Sequence, residues 1–275
     1  ILTVASALSG SGTLTQAAGS ILNLGGTSGI STLNASAANN TVVYNGTSQS
    51  VIATQYADLT INQSSGDASL SGTTNVSETL TLTAGNLDLS TDNLIIGVTG
   101  NISIASPSAS KMVIASGGGK LRKTYTTTGS FLFPIGDNTS TAEYSPITVN
   151  VTSAGGFASA YIEASVVDAK HPSNASTTHF LSRYWNITQS GITSCVANVS
   201  GVYPSADING TEGSISAGQL NGTFNQSGNP WLKDGALSPN AFGFNGATLT
   251  ANQTSAFTGI TGAAPLVNIT GGGVS

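Results

Sequence analysis

Short pairs of apolar residues, one residue apart, recur through residues 56–104 and constrain the fold of this chain more than any other feature. The pairs are Leu59/Ile61, Leu80/Leu82, Leu87/Leu89, Leu94/Ile96 and Ile102/Ile104. Leu59, Leu80 and Ile102 follow one another at spacings of 21 and 22 residues, in the same phase. Two apolar side chains at i and i+2 give a short strand one buried face. Such a strand, returning about every 20 residues with no helix between, predicts the coils of a parallel β-solenoid.

The texture of the sequence changes near residue 123, where longer alternating strands and most of the bulky aromatic residues begin. The strand candidates in this half are 129–134, 145–152, 158–167, 179–188, 193–203, 213–219 and 241–250. Seven such strands separated by Gly, Asn, Pro and Asp turns predict a two-sheet sandwich. Within 179–188, Leu181, Arg183, Trp185 and Ile187 share one face, and we expect Trp185 to lie in the core.

The predicted fold class is therefore all-β, an N-terminal parallel β-solenoid (β-helix) followed by a β-sandwich. We expect the solenoid domain to span 1–122 and the sandwich domain 123–262, with a C-terminal strand or tail at 263–275. No run of 18 apolar residues occurs, so no membrane span is predicted. The chain starts at Ile1 without a basic and apolar leader, and we expect any signal peptide to have been removed.

Charge is scarce in this chain and limits the partners that it can attract. Charged residues make up 7% of the sequence, the net charge is −5, and the only basic cluster is Lys120, Arg122 and Lys123. Because a phosphate-binding surface needs several converging cations, nucleic acid is not an expected partner. The single cysteine, Cys195, lies in a predicted strand and is expected to be a buried small apolar residue. No cofactor motif is present.

Asn-x-Ser/Thr sequons are more frequent than composition predicts. With 23 Asn and 75 Ser and Thr among 275 residues, chance gives about six, whereas the chain carries 16. The excess suggests a secreted, extracellular or cell-surface protein that carries N-linked glycans. The alternative is that turn and strand-edge chemistry favours Asn near Thr. The candidate glycosylation sites are Asn34, Asn39, Asn45, Asn62, Asn75, Asn101, Asn138, Asn150, Asn174, Asn186, Asn198, Asn209, Asn221, Asn225, Asn252 and Asn268.

Four segments between residues 112 and 188 resemble the recurring segment of large secreted surface proteins of Bacteroidetes. They are Gly119-Lys-Leu-Arg122, Gly129-Ser-Phe-Leu-Phe-Pro-Ile-Gly-Asp137, Tyr144-Ser-Pro-Ile-Thr-Val149 and Ser182-Arg-Tyr-Trp-Asn-Ile187, with a weaker extension to Asp207-Ile-Asn-Gly-Thr-Glu212. The resemblance implies a solenoid that precedes a sandwich and a surface location, rather than an activity. The family's sorting module is not recognised in this sequence. Sequon-directed glycosylation is not expected of these bacteria, and an archaeal source stays open.

No catalytic site is predicted. The solenoid acids Asp58, Asp67, Glu78, Asp88 and Asp92 could include a pair for polysaccharide cleavage, but turn and strand-end roles are favoured because no nearby cation accompanies them. Asp207, Asn209 and Glu212 carry oxygen ligands at spaced positions and form a weak calcium candidate, with an Asx-type turn as the favoured alternative.

The leading functional hypothesis is a structural protein whose partners are copies of itself. A solenoid exposes two open ends, and the first residues here are apolar, alternating and uncharged up to Asp58. We expect head-to-tail polymerisation, by strand addition or end stacking, into an extracellular filament, sheath or biofilm matrix. The candidate joining residues are Ile1, Leu2, Val4 and Leu8 within 1–8, and Leu266, Val267 and Ile269 within 264–270.

The runner-up is a non-catalytic adhesin whose sandwich binds glycans through exposed aromatic residues. Trp231, Tyr203 and Tyr161 are its candidate platforms. A polysaccharide-active enzyme that uses Asp88 or Asp92 is a distant third hypothesis.

Overall fold

The structure, a computed structural model, describes residues 1–261 and consists almost entirely of β-strands. Its first half is a parallel β-solenoid of about seven coils, and its second half is formed by antiparallel sheets. This confirms the predicted fold class. Residues 1–261 contain no helix that is long and apolar enough to cross a membrane. The predicted strand at 264–270, with Leu266, Val267 and Ile269, lies outside the described residues.

The solenoid strands are short because each coil turns several corners. They are β1 (Leu2–Val4), β2 (Ala7–Thr15), β3 (Ile21–Leu24), β4 (Thr27–Asn34), β5 (Thr41–Tyr44), β6 (Ser50–Val51), β7 (Gln55–Tyr56), β8 (Asp58–Asn62), β9 (Ala68–Leu70), β10 (Thr74–Val76), β11 (Thr79–Ala84), β12 (Leu87–Asp88), β13 (Leu94–Ile96), β14 (Asn101–Ile104), β15 (Val113–Ile114) and β16 (Leu121–Tyr125).

The strands that follow are longer and mostly antiparallel. They are β17 (Gly129–Phe133), β18 (Ile135–Asp137), β19 (Glu143–Tyr144), β20 (Ile147–Ser153), β21 (Gly156–Val167), β22 (Phe180–Leu181), β23 (Tyr184–Thr193), β24 (Cys195–Val202), β25 (Ile208–Asn209), β26 (Ile215–Asn221), β27 (Leu232–Ala236), β28 (Ala241–Leu249) and β29 (Thr254–Thr261). Two 3₁₀ turns, Ser205–Asp207 and Glu212–Ser214, lie among them.

Four main sheets organise these strands. Sheet 1 is the parallel series β1-β3-β5-β8-β11-β14, and sheet 2 runs β6-β9-β12-β15-β18-β19. Sheet 3 has nine strands in the order β7-β10-β13-β16-β21-β23-β29-β26-β27, and sheet 4 is β17-β20-β24-β28. Two small pairs, β2 with β4 and β22 with β25, complete the described part of the chain.

The apolar pairs of the sequence stack in register along sheet 1. Leu59 pairs with Leu80, and Leu80 pairs with Ile102, as their spacing predicts. The column, which we call the rung column, begins at Leu2/Val4 and continues through Leu22/Leu24. Its inner members are at most 1% exposed, and a fully buried Leu or Ile contributes about 1.5–3 kcal/mol to stability. One coil could not bury such a pair alone, so the coils stabilise one another.

The antiparallel half closes as a sandwich because sheet 3 packs its large side chains against sheet 4. Trp185 on β23 is 0% exposed and contacts Phe242 on β28, with ring centroids 5.7 Å apart. Phe242 in turn contacts Phe257 on β29 at 6.1 Å. The indole N–H of Trp185 donates to the Ser145 carbonyl at 2.9 Å. The expected core position of Trp185 is confirmed. Cys195 is also buried, and burial raises its pKa to about 11.

The strand β29 has no counterpart among the predicted strands. It lies between β23 and β26 in the middle of sheet 3, and its residues 255–260 are all buried. Alternation marks a strand only when one face is exposed, so a strand buried on both faces carries no such pattern. Its many small and hydroxyl-bearing residues also give it little of the apolar character by which a strand is recognised in a sequence.

Solenoid and sandwich share sheet 3. Strand β16 pairs in parallel with β13, the preceding coil, and antiparallel with β21, the first long strand of the sandwich. The expected boundary between residues 122 and 123 falls inside β16 and stays a prediction. Lys123 of β16 donates its ammonium to three main-chain carbonyls, those of Gly97, Val98 and Gly100, at 2.5–2.8 Å. Because these carbonyls precede β14, this contact ties the corner between sheets 3 and 1.

The rung column predicts how single substitutions act on stability. Leu80→Ala removes the centre of the column and is expected to lower the free energy of unfolding by about 2–5 kcal/mol, through lost burial and the cavity left behind. Thr81→Ala, on the same strand with its side chain outward, is the matched control and should change it by about 0.5 kcal/mol or less. Urea denaturation followed by circular dichroism measures both, and equal effects would contradict the column.

Candidate functional site

The densest group of charged side chains surrounds Arg183, between β22 and β23. Arg183 is 0% exposed, and its Nε donates to Asp207 at 2.5 Å. Its Nη1 donates to Asp137 and its Nη2 to Glu143, and Nη2 lies 3.4 Å from Asp168. We call these five residues the Arg183 cluster. They join β18, β19, the segment after β21, and the 3₁₀ turn Ser205–Asp207.

One guanidinium faces four carboxyl groups, so the Arg183 cluster carries more acid than base. Burial raises the pKa of Glu143, and the other acids add to this against the opposing effect of Arg183. Burial also raises the pKa of Asp207, with Arg183 again opposing it. Burial alone would lower the pKa of Arg183, but the hydrogen bonds that it donates to Asp137 and Asp207 outweigh this effect and raise that pKa. The guanidinium therefore stays charged, while the acids compete for it.

Oxygen atoms of Asp137, Glu143 and Asp168 all lie within 4.8 Å of one another, a spacing that a metal ion could bridge. Hard cations such as Ca²⁺ prefer oxygen ligands of this kind. Here, however, the Nη atoms of Arg183 already contact all three carboxylates. The arrangement is that of a buried ion-pair network, in which each carboxylate has a cationic partner.

The three residues of the predicted calcium candidate have separate partners. Asp207 binds Arg183, and Glu212 accepts hydrogen bonds from the Tyr203 hydroxyl at 2.6 Å and the Asn240 main chain at 2.8 Å. The amide of Asn209 donates to the carbonyl of Asp207 at 3.3 Å, a local turn contact. The structure thus gives these three side chains turn and ion-pair contacts. Calcium binding by them stays a prediction.

Acids of the solenoid mostly accept main-chain N–H groups at corners and strand ends. Asp58 accepts from Thr79 at 2.9 Å, and Asp67 accepts from Asn86 at 3.1 Å. Glu78 accepts from Asn39, and Asp88 accepts from Ser90 at 2.7 Å. These contacts are of the kind expected for turn and strand-end roles. Asp92, the fifth acid, donates its main-chain N–H to Leu89.

The Arg183 cluster was missed in the sequence, although three of its five members stand in the segments that carry the resemblance. Asp137 ends one of those segments, Arg183 lies in another, and Asp207 opens the weaker extension. A usable signal existed: Arg183 falls on the same predicted face as Leu181 and Trp185. An arginine on an inward face needs buried acids as partners. The sequence could not say which acids those were.

The sequons are distributed unevenly between surface and interior. Asn174 is buried at 4% exposure, and its amide donates to the Gly259 carbonyl at 3.2 Å, so this side chain already has a structural role. The exposed candidates are Asn34, Asn39, Asn45, Asn62, Asn101, Asn138, Asn225 and Asn252. The half-buried ones are Asn75, Asn150, Asn186, Asn198, Asn209 and Asn221. Asn268 lies outside the described residues.

The three aromatic candidates for glycan binding differ in accessibility. Tyr203 is 2% exposed, and the guanidinium of Arg122 stacks 3.8 Å from the ring centre of Tyr161. Trp231 is half-buried, donates its indole N–H to the Ser173 carbonyl at 2.9 Å, and packs edge-on against His171. Of the three, Trp231 therefore offers the most open ring.

Both ends of sheet 1 are open edges within residues 1–261. Strand β1 pairs only with β3, and β14 pairs only with β11. The terminal rungs are incompletely covered: Leu2 is 49% exposed, Val4 is half-buried, and Ile102 and Ile104 are half-buried. Ile1, beside them, is 89% exposed and Leu8 is half-buried. An open edge that also shows apolar side chains is a template for another strand.

The Arg183 cluster predicts that replacing Arg183 destabilises the protein much more than replacing Arg122. Arg183→Met leaves two buried acids, Asp137 and Asp207, and two partly exposed ones without their cation, and it should lower the free energy of unfolding by about 3–5 kcal/mol. Arg122→Met breaks a partly exposed pair with Glu163 and should cost about 1 kcal/mol or less. Chemical denaturation of both variants measures this difference. Similar losses for the two would contradict a dominant role for the cluster.

The raised pKa values of Glu143 and Asp207 predict how stability depends on pH. In the folded protein these groups bind protons more tightly than in the unfolded chain, so stability falls as pH rises. Their contribution is complete below the ordinary pKa values of 4.5 and 3.8 and is lost as pH rises through the raised ones. Glu143→Gln should flatten this decline, whereas Glu163→Gln should not. Denaturation midpoints between about pH 4 and pH 8 test this, and parallel curves for the wild type and Glu143→Gln would contradict it.

No protein-family model, no curated protein and no solved structure matches this chain. The resemblance to Bacteroidetes surface proteins therefore stays a prediction.

Proposed function

We propose that this protein is a secreted structural protein that assembles with copies of itself, by strand addition, into an extracellular filament, sheath or matrix. The observation that carries the proposal is the pair of open edges of sheet 1, each with an incompletely covered rung. Strand β1 offers Leu2 and Val4, and β14 offers Ile102 and Ile104. A strand that a second copy lays beside either edge makes a contact between unlike surfaces, which joins head to tail and repeats without closing.

The residues of these two edge strands favour pairing with another strand over exposure to water. Proteins that keep a sheet edge free protect it with charged side chains, proline or a covering segment. No charged residue lies in β1 or β14. Main-chain hydrogen bonds and apolar contacts of this kind depend little on salt. Assembly should therefore persist at high ionic strength, unlike assembly through surface ion pairs.

The extracellular part of the proposal is supported by the sequons. Seven of the candidate asparagines outside β14 are exposed, several of them at turns and strand ends of the solenoid. Asn101 is left out because it begins β14, where a glycan would block the open edge. Covalent N-linked glycans are proposed at the other seven. They would hydrate the faces of a polymer whose protein surface holds few charges.

Glycan binding by the sandwich is the second candidate, and Trp231 is the observation that favours it. Its ring is half-buried beside His171, near Tyr184, and forms an aromatic surface of the kind that stacks on sugars. This adhesin function is compatible with the assembled form. Loss of glycan-array binding in Trp231→Ala, with assembly unchanged, would identify it.

Two deletions test the proposed assembly. The full chain should form oligomers whose mass grows with concentration, seen by light scattering and negative-stain microscopy. Removing either residues 1–8 or residues 262–275, the two candidate joining segments, should leave folded monomers in at least one case, because a strand that bridges copies is lost. Leu232→Lys, which changes a 51% exposed leucine on the edge strand β27, is the control and should assemble normally. Polymers of unchanged length in both deletions would contradict strand addition.

A further inference from the structure

A cleft separates β14, the last strand of sheet 1, from β17, the first strand of sheet 4. Among the described residues, β14 pairs only with β11 and β17 pairs only with β20, so both edges that face the cleft are unpaired. The cleft measures about 270 Å³, and its lining includes Ile102, Ile104, Phe131, Leu132 and Pro134, with no charged residue. Leu132 is 48% exposed there. Two free edges flank one uncharged space, whose lining also includes the polar residues Asn101, Ser130 and Tyr144.

The main chain of β14 directs hydrogen-bonding groups into this cleft. In a parallel ladder, alternate residues bond to alternate neighbours. The N–H of Asn101 donates to Glu78 beside β11 at 2.8 Å. The N–H and C=O groups of Ile102 and Ile104 therefore point to the open side. An unpaired edge of this kind gains hydrogen bonds when an extended segment lies beside it.

The cleft arises because β17 leaves the rung column. Phe131 and Phe133 form the next apolar pair in the chain, but β17 hydrogen-bonds to β20 instead of continuing sheet 1. The other two faces of the same coil are already covered, β15 by β18 and β16 by β21. A complete coil of another solenoid therefore cannot stack here. Only a single extended strand can enter.

A segment of matching pattern lies in the chain outside the described residues. Val267-Asn-Ile-Thr270 repeats the alternation of the rungs Leu59-Thr-Ile-Asn62 and Leu80-Thr-Leu-Thr83. Pro265 precedes it and Gly271 follows it, and the sequence pattern predicts one short strand between them. The segment is uncharged, as is the lining of the cleft. Together with Leu266 it is five residues long, enough to run alongside the four residues of β14.

We propose that residues 266–270 of a second copy insert as a strand between β14 and β17. Val267 and Ile269 then cover Ile102 and Ile104, and the inserted main chain pairs with the free edges on either side. Sheets 1 and 4 become joined through a strand from the neighbouring molecule. This inference rests on the proposed assembly function and names its acceptor site and its donor strand.

Disulfide trapping between two differently substituted chains tests the insertion. Ser103→Cys places a thiol at the centre of β14, and Asn268→Cys places one at the centre of the donor segment. The central residues oppose each other whether the strand enters parallel or antiparallel. Neighbouring strands lie about 4.8 Å apart, within the Cα separation that a disulfide bridges. The native Cys195 is buried, and its raised pKa of about 11 keeps it as the unreactive thiol.

Mixed S103C and N268C chains should give a disulfide-linked heterodimer under mild oxidation. A mixture of T81C and N268C chains is the matched control, since Thr81 lies on β11, whose two edges are already paired by β8 and β14. The control should give at least ten-fold less heterodimer. Thermal denaturation before oxidation checks that all three variants fold.

The outcomes separate this inference from the proposed function. Oligomers that form without the 103–268 disulfide overturn the insertion and leave assembly standing. In the double variant S103C/N268C, both cysteines are in one chain. If a disulfide forms only within such single chains and never in the mixture, residues 266–270 occupy the cleft of their own chain, and the proposed insertion into a second copy is wrong. Monomers at every concentration, with no disulfide in the mixture, overturn both.

Discussion

The structure depends on hydrogen bonding between successive coils with apolar pairs held in register. Each coil contributes one or two inward residues per face, too few to form a core alone, and gains burial only from the coil before and the coil after it. Register is strict, because a shift of one residue would turn Leu80 and Leu82 outward and Thr81 inward. The column from Leu22/Leu24 to Leu80/Leu82 satisfies both demands, and the two terminal rungs satisfy them on one side only.

The sequence predicted the solenoid well because its signal is local and repeats. The spacing between Leu59, Leu80 and Ile102 predicts the observed pairing. In a parallel solenoid, residues separated by one repeat of the sequence lie side by side on neighbouring coils. The sandwich was predicted as a class, but its strand order was not. Strand β29 was missed because it is buried on both faces. Strand β16 belongs to both the solenoid and the sandwich because it also pairs with β21, some 40 residues further along the chain, and no local pattern predicts that pairing.

The Arg183 cluster shows a different limit of sequence reasoning. Its hydrogen bonds span up to 46 residues, so no local pattern links Arg183 to Asp137 or to Asp207. What the sequence did contain was an arginine on an apolar face in a chain with only seven basic residues. In a chain with so few charges, a buried arginine implies that particular acidic side chains are buried beside it as partners. The network ties β18 and β19, at the end of sheet 2, to the start of β23 in sheet 3.

Sheet 3 runs from β7 in the solenoid to β27 at the far edge of the sandwich without a break in its hydrogen bonds. If a flexible linker joined two separate domains, bending would concentrate at that linker. Here the solenoid and the sandwich are connected through β16, which is a strand inside the nine-stranded sheet 3. Tension or torsion applied to one half is therefore shared by lateral hydrogen bonds across the whole width of the molecule. Bending one half against the other requires distorting or breaking hydrogen bonds of sheet 3.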